Sequence, residues 1–282
     1  NNNNKEVILA YQYKENEITH MLPILASPAG TGITGQGWAS FCPTRQLVDS
    51  YEMTDGKSIY ESDSYDKNNP WENRDARLKK TFFLPGYECL RPNGSHEPYM
   101  PHPAYNKDER INHEGGGITG YMYLKYNDQE LIKPDASWTN FSLYRYAEVL
   151  LIYAEALNEY DPNNSQIAWA VNQVRKRAEL PGVDQLVGNQ EAMREKIREE
   201  RRHEFVTEHK RYFDILRWKI AEKVLNEPGY GINEDENAPI GDYTVKQFLG
   251  QNRTFDPAKH YLWPVPQSVR DNNPNLGQNP NW

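Results

Sequence analysis

Residues 198–218, REERRHEFVTEHKRYFDILRW, bring together histidines and glutamates of the kind that bind zinc or transfer protons. A helical zinc site of the H-E-x-x-H type needs two histidines four residues apart on one helix face. The residue four after His203 is Thr207, and His209 lies six residues on, where a helix turns it to another face. The inverted H-x-x-E-H motif also fails, because Phe205 stands where its first histidine is required. We therefore predict a structural segment here, with no metal site and no catalytic residue.

The charges of the same stretch alternate in sign at a spacing that suits ion pairs along a helix. Three glutamates stand three residues before an arginine: Glu195 before Arg198, Glu199 before Arg202 and Glu208 before Arg211. We expect such charges, above all Arg201, Glu204, Glu208 and Arg211, to tie neighbouring helices together.

Residues 30–35, GTGITG, satisfy the G-x-G-x-x-G fingerprint of dinucleotide-binding folds letter by letter. That fingerprint works only between a strand and a helix whose N-terminus receives the pyrophosphate. Here Trp38 and Pro43 follow within a few residues, so a helix cannot begin where the pyrophosphate needs one. We predict a glycine-rich loop and no nucleotide cofactor.

Two acidic groups offer the oxygen ligands that calcium prefers, but neither has the spacing of an EF-hand loop. They are Glu61, Asp63 and Asp66, and Glu234, Asp235 and Glu236. Solvated acidic turns are the favoured interpretation, and calcium binding is the secondary one. Nor does any G-x-S-x-G segment, Ser/His/Asp arrangement or defined carboxylate pair point to a hydrolase. We expect neither an enzyme nor a resident cofactor.

Aromatic residues in loops are the stronger functional signal. Five of them lie among glycine, proline and asparagine and are the candidate ligand-binding residues: Trp38, Trp71, Tyr87, Tyr99 and Tyr105. Such rings suit sugars, because the apolar C–H face of a sugar stacks on a ring while nearby amides and acids bond its hydroxyls. The alternative is that the rings only anchor their loops to the core. Trp38, surrounded by glycines, is the leading candidate.

Composition excludes some classes of function. The 282 residues carry 32 Lys and Arg against 40 Asp and Glu, which argues against binding to a nucleic-acid backbone. No apolar run approaches the roughly 18 residues of a membrane helix. The cysteines, Cys42 and Cys89, leave open whether they pair. The chain opens on NNNNKEVILAYQY, without an initiator methionine or a signal-peptide pattern, as expected of a fragment of a longer product.

The elements that must position these residues change in character along the chain. Residues 5–13 and 120–126 are β-like runs, with branched or aromatic residues at alternate positions. Between them lie segments rich in glycine, proline and asparagine, and connections of that length are mostly functional or disordered. We expect residues 1–137 to be a loop-rich region with short strands that forms the ligand-facing surface.

Helical periodicity takes over from about residue 138. Residues 141–159 carry two apolar stripes, which predicts a helix that packs on both sides. A second helix follows Asp161-Pro162 and ends at Pro181-Gly182, and a third begins near Asn189 and runs into a fourth. Two successive helix pairs with alanine at their contacts favour tetratricopeptide-like packing. The predicted fold is mainly α, with tetratricopeptide-like helical hairpins, long loops and a few short β-strands.

Residues 138–226 are thus the predicted helical scaffold, and residues 227–282 an irregular segment that ends in a strap, all within one domain. The tail 260–282 is neither periodic nor low in complexity. Prolines stiffen it, and its large apolar residues are expected to dock it on the helices: Leu262, Trp263, Val265, Leu276 and Trp282.

Five segments taken in order resemble one family. They are PTRQLVDSYEMTDGKSI (43–59), TGYMYLKY (119–126), YRYAEVLLIYAEALNE (144–159), IREERRHEFVTEHKRYFDILRWK (197–219) and YLWPVPQSVRDNNPNLGQNPNW (261–282). The chain is similar over these segments to the C-terminal region of the SusD/RagB family, the glycan-capturing surface lipoproteins of Bacteroidetes-type bacteria.

The resemblance implies a mostly helical, tetratricopeptide-like scaffold whose loops form the glycan surface. It also implies a lipid anchor on the outer membrane and a SusC-like, TonB-dependent transporter as partner. The resemblance further implies a long N-terminal half, which usually carries the lipidated cysteine, and we expect that half to lie outside this chain. The anchor, and with it the only expected contact with a membrane, therefore lies outside this chain.

The charged stretch follows the family pattern E-R-R-x-E-F-x-x-E-G-x-R-x-x-D-L-x-R-W with two departures. His209 stands where glycine is usual, and Ile215 where leucine is usual. Either the backbone at His209 is not left-handed, or histidine tolerates that conformation. The region before the family's P-T-x-x-L-V-D block often supplies a stacking aromatic, and Trp38 occupies that place here.

We therefore predict a non-enzymatic protein that binds oligosaccharide or polysaccharide at the bacterial cell surface and delivers it to a TonB-dependent outer-membrane transporter. A tetratricopeptide-like scaffold for protein interaction is the alternative, with its aromatic loops at an interface. A carbohydrate-active hydrolase is the third interpretation.

Overall fold

The structure, a computed structural model, describes residues 4–102, 117–132, 136–232, 237, 245–247, 253–273 and 275–282, with 245–247 by their backbone alone. Within these residues the helices are α1 (Leu22–Ala26), α2 (Arg45–Ser50), α3 (Leu78–Thr81), α4 (Tyr146–Tyr160), α5 (Gln166–Arg177), α6 (Gln190–Glu204), α7 (Arg211–Arg217), α8 (Ala221–Leu225) and α9 (Gln267–Asn272). The strands are β1 (Val7–Tyr11), β2 (Phe82–Phe83), β3 (Glu88–Leu90), β4 (His96–Pro98), β5 (Met122–Tyr123), β6 (Phe141–Arg145), β7 (Tyr230–Ile232) and β8 (Val245–Gln247). They pair as four two-stranded sheets, β1 with β6, β2 with β5, β3 with β4 and β7 with β8. Helices dominate and the strands are short, which confirms the predicted mainly α fold.

The longest helices, α4, α5 and α6, form the scaffold. α4 lies against both α5 and α6, and α5 also contacts α6. Their facing sides make a buried core of alanine and larger apolar residues, among them Ala147, Leu151, Ala154, Ile167, Ala170, Val171, Met193 and Ile197. Alanine at these positions lets the helices approach closely, as in stacked helical hairpins. The predicted tetratricopeptide-like packing is confirmed.

The helix ends follow local rules. α6 begins as predicted, because Asn189 accepts a hydrogen bond from the N–H of Ala192 at 3.2 Å and so caps the first turn. α4 stops at Tyr160, just before Asp161 and its proline. Both helix ends are therefore determined by residues within four positions of the end.

The predicted start of the first long helix is wrong. Residues 141–145 form strand β6, antiparallel to β1, and not the first turn of α4. Tyr144 continues the helical stripe by chance, whereas the partner strand lies more than 130 residues earlier and leaves no trace in local periodicity. Of the second β-like run, only Met122–Tyr123 form a strand, which pairs with β2.

The second apolar stripe of α4 is covered only in part by the described residues. Leu150 is buried in the core, but Tyr146 and Tyr153 on the same stripe are about half exposed. Val149 and Ile152 beside them are exposed as well. Within the described molecule, α4 is therefore packed on one side and not on both.

A cluster of buried charges joins α6 to β6 and to the first half of the chain. Glu208 receives two hydrogen bonds from Arg145, at 2.8 Å from Nε and 2.9 Å from Nη2. Glu204 pairs with the same arginine at 2.5 Å, and Arg77 reaches it at 3.0 Å. Lys125, just after β5, lies 2.5 Å from Glu208. Both glutamates therefore tie separate elements together, but these partners lie on β6 and in the first half of the chain, whereas the prediction was of ties between neighbouring helices.

The predicted role of Arg201 is confirmed, whereas Glu208 and Arg211 do not form the pair that their spacing suggested. Arg201 makes a two-point contact with Asp214 on α7, at 2.9 Å from Nε and 3.1 Å from Nη2, and so ties two helices as predicted. Glu208 does not pair with Arg211, because α6 ends at Glu204 and the helical spacing of the pair is lost. Its partners are instead the distant cations described above.

The two histidines that resembled zinc ligands have structural contacts. The ring of His203 is buried, stacks on Tyr51 at 4.4 Å, and lies 2.9 Å from the hydroxyl of Ser50. Burial, helped by nearby positive charges, lowers the pKa of His203 well below its usual value and keeps the ring neutral. His209 is exposed and adopts φ +57°, so the backbone is left-handed there and histidine tolerates it.

The C-terminal segment contacts α7 and α8 partly as predicted: of the expected anchors, Trp263 lies edge-on to Tyr212 of α7 at 6.2 Å, and further contacts come from residues that were not predicted. Phe255 is buried against Ile215 and Ala221, and the hydroxyl of Tyr261 accepts the N–H of Ala221 at 3.2 Å. The expected anchors remain exposed: Leu262, Trp263, Leu276 and Trp282. The tail also bonds to itself, for example through the donation of Trp282 Nε1 to the carbonyl of Leu262 at 2.9 Å.

The buried cluster predicts how stability depends on pH. Burial alone raises the pKa of Glu204, but the charges of Arg145, Arg77 and Arg177 outweigh burial and lower the pKa to about 2. An unperturbed glutamate has a pKa of about 4.3, so this stabilisation is present above about pH 5 and is lost as the pH falls toward 2. We predict that wild type exceeds Glu204→Gln in free energy of unfolding by on the order of 3 kcal/mol at pH 7, and by clearly less at pH 3.

Urea denaturation at the two pH values measures this difference. Glu200 in the same cluster acts in the opposite sense, because burial raises its pKa, but it is present in both proteins and cancels. Glu195→Gln, at an exposed position of α6, is the control and should change the unfolding free energy by less than about 1 kcal/mol at either pH. An equal loss in Glu204→Gln at pH 7 and pH 3 would contradict the assignment.

Candidate functional site

Trp38 lies where an irregular segment runs back past the end of α1. Its backbone N–H donates to the carbonyl of Ile24 at 2.7 Å, and the next two amides donate to carbonyls of the same helix end. These bonds fix the backbone, while the side chain stays 49% exposed. A fixed ring with an open face can stack on a ligand without being ordered first.

The GTGITG segment forms a closed loop immediately before Trp38. Gly30 donates its N–H to the carbonyl of Gly35 at 3.0 Å, and Gly35 donates to the carbonyl of Gly32 at 3.2 Å. All three glycines have a positive φ, between +66° and +78°, where side chains are disfavoured. The loop follows a helix, and no further helix begins before Arg45, so residues 22–50 lack the strand–loop–helix order of a dinucleotide site.

The glycine loop, residues 28–37, rests on β3 and on the 3-10 turn of Gln129–Leu131. Gly32 donates its N–H to the carbonyl of Leu90 at 2.7 Å. A Cβ at Gly32 would lie only 2.7 Å from both the carbonyl oxygen of Gln129 and the Cβ of Ile132. The loop is therefore pressed against its support more closely than any side chain would allow.

Tyr87 is attached to the same support. Its hydroxyl accepts a hydrogen bond from Nε2 of Gln129 at 3.4 Å, and Oε1 of that glutamine accepts the N–H of Leu90 at 2.8 Å. The ring packs edge-on against Phe83 at 5.2 Å and remains partly exposed. Burial raises the pKa of Tyr87, so the hydroxyl stays protonated at neutral pH. Trp38 and Tyr87 thus belong to one connected unit.

Of the other three candidates, the structure describes Tyr99 and Trp71. Tyr99 is 0% exposed and donates its hydroxyl to the carbonyl of Gly120 at 3.2 Å. Because it has no open face, it cannot stack on a ligand in this conformation. Trp71 is partly buried, edge-on to Tyr121 at 6.0 Å, in a separate core cluster. Both rings anchor loops to the core, which was the alternative interpretation, and Tyr105 lies outside the described residues.

A shallow groove of about 510 Å³ opens beside Gln129. Its lining is rich in amide, carboxylate and hydroxyl groups: Leu90, His96, Tyr126, Asn127, Asp128, Gln129, Glu130 and Thr139. Such groups can donate to and accept from several ligand hydroxyls at once, and the volume is typical of small-molecule sites. The groove therefore supplies the polar half of a sugar site, next to the unit that carries the rings.

A larger hollow of about 1320 Å³ lies between β1, β6 and α6. Its lining includes Arg145, Glu204 and Glu208, and the two carboxylates are already paired with Arg145, Arg77 and Lys125. Volume alone would favour this hollow. The smaller groove is the better candidate, because it adjoins the support shared by the glycine loop and Tyr87.

Sequence reasoning missed one residue of this surface, Gln129, and one exposed ring close to Trp38 in the chain, Phe41. Phe41 is 45% exposed, three residues after Trp38, but it lies in a segment without the glycines that drew attention to Trp38. Gln129 joins the loop, Tyr87 and the groove, yet its contacts are made across the chain. A polar residue whose role depends on distant partners leaves no local signal.

The acidic groups and the cysteines have ordinary surroundings. Glu61 accepts a hydrogen bond from Ser58, and Asp66 from Asn69, each within its own turn. The second acidic group, 234–236, lies outside the described residues. Cys42 and Cys89 are not joined by a disulfide. Among the residues that the structure describes, no three His, Cys, Asp or Glu side chains are grouped as metal ligands.

Comparison with known families decides what kind of protein carries this surface. The model of the SusD family matches residues 5–282. The chain belongs to the SusD family. The resemblance inferred from five segments is confirmed. This SusD-family chain is 36% identical over 149 residues to SusD-like protein P2 of Formosa agariphila. The matched region covers 51% of this chain and 26% of that protein.

Solved SusD-like structures share the fold. A SusD-like carbohydrate binding protein from Bacteroides fragilis is 33% identical with a TM-score of 0.81, over 97% of this chain and 55% of that one. A second SusD-like protein from the same organism is 27% identical with a TM-score of 0.80, over 100% of this chain and 55% of that one. The SusD-family chain thus spans about half the length of these relatives. Across its described part, no helix combines the length and apolar character needed to cross a membrane.

Gly37, the last residue of the glycine loop before Trp38, has no room for a side chain. A Cβ there would lie 1.9 Å from the carbonyl oxygen of Pro28 and 2.6 Å from that of Ser27. We predict that Gly37→Ala lowers the free energy of unfolding by about 2 kcal/mol or more, because backbone atoms must shift. Urea denaturation followed by tryptophan fluorescence measures the loss.

Gly277→Ala is the matched control, since a Cβ at Gly277 meets nothing within 4 Å. It should leave the unfolding free energy within about 0.5 kcal/mol of wild type. The close approach at Gly37 would be contradicted if both variants behaved alike.

Proposed function

We propose that this SusD-family chain is a non-catalytic glycan-binding protein that captures oligosaccharide or polysaccharide at the bacterial cell surface. The half-exposed, backbone-fixed ring of Trp38, on a unit that adjoins a polar groove, carries the proposal. Family membership supports it, as does the 33% identity to a structure described as a SusD-like carbohydrate binding protein.

The aromatic rings and the polar groove would bind different parts of a sugar. Trp38 and Tyr87 offer apolar faces for the C–H surface of sugar rings. Asp128, Gln129 and Glu130 offer acceptors and donors for the hydroxyls. Phe41 would extend the apolar part. Binding needs little reorganisation, because the backbones of the loop and its support are already hydrogen-bonded.

The charge pattern supports binding without turnover. Glycoside hydrolysis requires one carboxylic acid with a raised pKa and a second carboxylate at a defined distance across the scissile bond. The buried pair Glu204 and Glu208 is held by arginines, and the charge of Arg145 and its neighbours lowers the pKa of Glu204 against the effect of burial. A carboxylate held in this way is a poor proton donor at neutral pH.

We also propose that the chain is held at the outer surface of the outer membrane by a lipid anchor and passes its glycan to a SusC-like, TonB-dependent transporter. Family membership supports this assembly. The expected result is co-purification of the transporter with the tagged protein from detergent-solubilised outer membranes. Recovery of the protein without any β-barrel partner, from cells grown on the cognate glycan, would contradict the delivery step.

Trp38→Ala tests the binding site directly. We predict a loss of affinity of at least about tenfold for the glycans that wild type binds, since a stacking ring at the centre of a small site carries much of the binding energy. A screen of wild type against diverse polysaccharides finds the ligand, and calorimetry then compares the variants.

Trp169→Ala is the matched control, because Trp169 is 44% exposed on α5 and lies outside the site. It should bind as wild type does. Equal affinity of Trp38→Ala and wild type for every bound glycan would remove Trp38 from the site. Turnover in the screen would favour the hydrolase, and the absence of any glycan binding would favour the protein-interaction scaffold.

A further inference from the structure

Arg91 is a buried arginine whose position the proposed binding surface does not yet explain. It follows β3 and is 8% exposed. Its Nη1 donates to the carbonyl of Gly30 at 3.3 Å, and its Nη2 donates to the carbonyl of Pro98 at 3.2 Å. One guanidinium therefore spans from the start of the glycine loop to the end of the β3–β4 hairpin.

The backbone of Arg91 is equally well fixed. Its N–H donates to the carbonyl of Ser95 at 2.9 Å, and its carbonyl accepts the N–H of Gly94 at 2.9 Å, which closes the turn between β3 and β4. The guanidinium thus projects from a rigid hairpin. A rigid donor can hold a loop that has no regular secondary structure of its own.

The loop that Arg91 contacts links the two candidate rings. At its C-terminal end the loop leads through Gly37 into Trp38. Along its side the loop rests on Leu90 and Gln129. Gln129 also donates to the hydroxyl of Tyr87 and accepts the N–H of Leu90. A displacement of the loop would therefore change how the two rings face one ligand.

We propose that Arg91 is a positioning residue for the glycan site, whose guanidinium holds the glycine loop on the β3–β4 hairpin and so fixes Trp38 relative to Tyr87. This inference rests on the proposed glycan-binding function. Arginine suits the task, because its planar fork presents separate N–H groups to the two carbonyls, whereas a lysine ammonium is a single point charge. The glycines of the G-x-G-x-x-G pattern then have a structural role, because a backbone without side chains at these positions lets the carbonyl of Gly30 come within hydrogen-bond reach of Arg91.

Two measurements on Arg91→Lys test the proposal. Hydrogen exchange of the Gly30, Gly32 and Gly35 amides, all hydrogen-bonded within or beneath the loop, should become about tenfold faster as the loop opens more often. Glycan affinity should fall about tenfold, because the rings are no longer pre-organised. Arg91→Ala should show the same effects, at least as strongly.

A double-mutant cycle separates positioning from general destabilisation. If Arg91 acts through Trp38, Arg91→Lys should cost about tenfold in the wild-type background and less than about twofold in the Trp38→Ala background. Arg74→Lys is the matched control, because Arg74 is also buried and also donates to backbone carbonyls, those of Pro70 and Tyr51 among them, in another part of the fold. It should lower the melting temperature without changing glycan affinity or exchange in the glycine loop.

Three results would overturn the inference. They are unchanged exchange in the loop of Arg91→Lys, an equal loss of affinity in both backgrounds of the cycle, and an equal loss of affinity in Arg74→Lys. If wild type binds no glycan at all, the proposed function fails, and loop exchange alone then decides whether Arg91 holds the loop. The two failures are therefore distinguishable.

Discussion

The bonds between Arg145 and the two glutamates Glu204 and Glu208 are the constraint on which the rest of the structure depends. Arg145 is the last residue of β6 and the first residue before α4, so it fixes the turn from strand to scaffold helix. Its partners lie at the end of α6 and just beyond it. Removing one member would leave a buried charge without compensation, which costs several kcal/mol. The cluster therefore sets the relative position of the two-stranded sheet β1–β6 and the helical scaffold.

The same cluster reaches the candidate site through a short path. Lys125 donates to the carbonyl of Glu204 at 2.8 Å and pairs with Glu208. Two residues later, Asn127 donates to the hydroxyl of Ser27 at 2.7 Å, at the end of α1 from which Trp38 is held. The chain then enters the turn with Gln129 that supports the glycine loop. A stable scaffold thus positions loops that have little regular structure of their own.

Sequence reasoning succeeded where the determinants were local. The cap at Asn189 and the alanine-rich helix contacts are written within a few residues, and the family pattern around residues 197–219 identifies the fold. It failed where a distant partner decides the outcome. β6 is a strand because β1 lies beside it, and Tyr99 is a core residue because it packs in a cluster with Phe83 and Met122. A ring among prolines and glycines looks the same in sequence whether it faces solvent or the core, so only Trp38 and Tyr87 remain as candidates within the described residues.

The glycine fingerprint shows how one pattern can have a sound physical basis and still suggest the wrong ligand. In a dinucleotide-binding loop, glycines permit positive φ and a close approach of the backbone to pyrophosphate. In this chain they permit the same two things, but the surfaces approached are protein. Gly32 meets the carbonyl of Gln129, and Gly37 meets that of Pro28, both at distances that exclude a Cβ. The pattern indicates that the backbone closely approaches another group, and the elements on either side of the loop determine which group that is. Here the result is a fixed loop that presents an exposed indole, a geometry that suits a sugar ring far better than a phosphate.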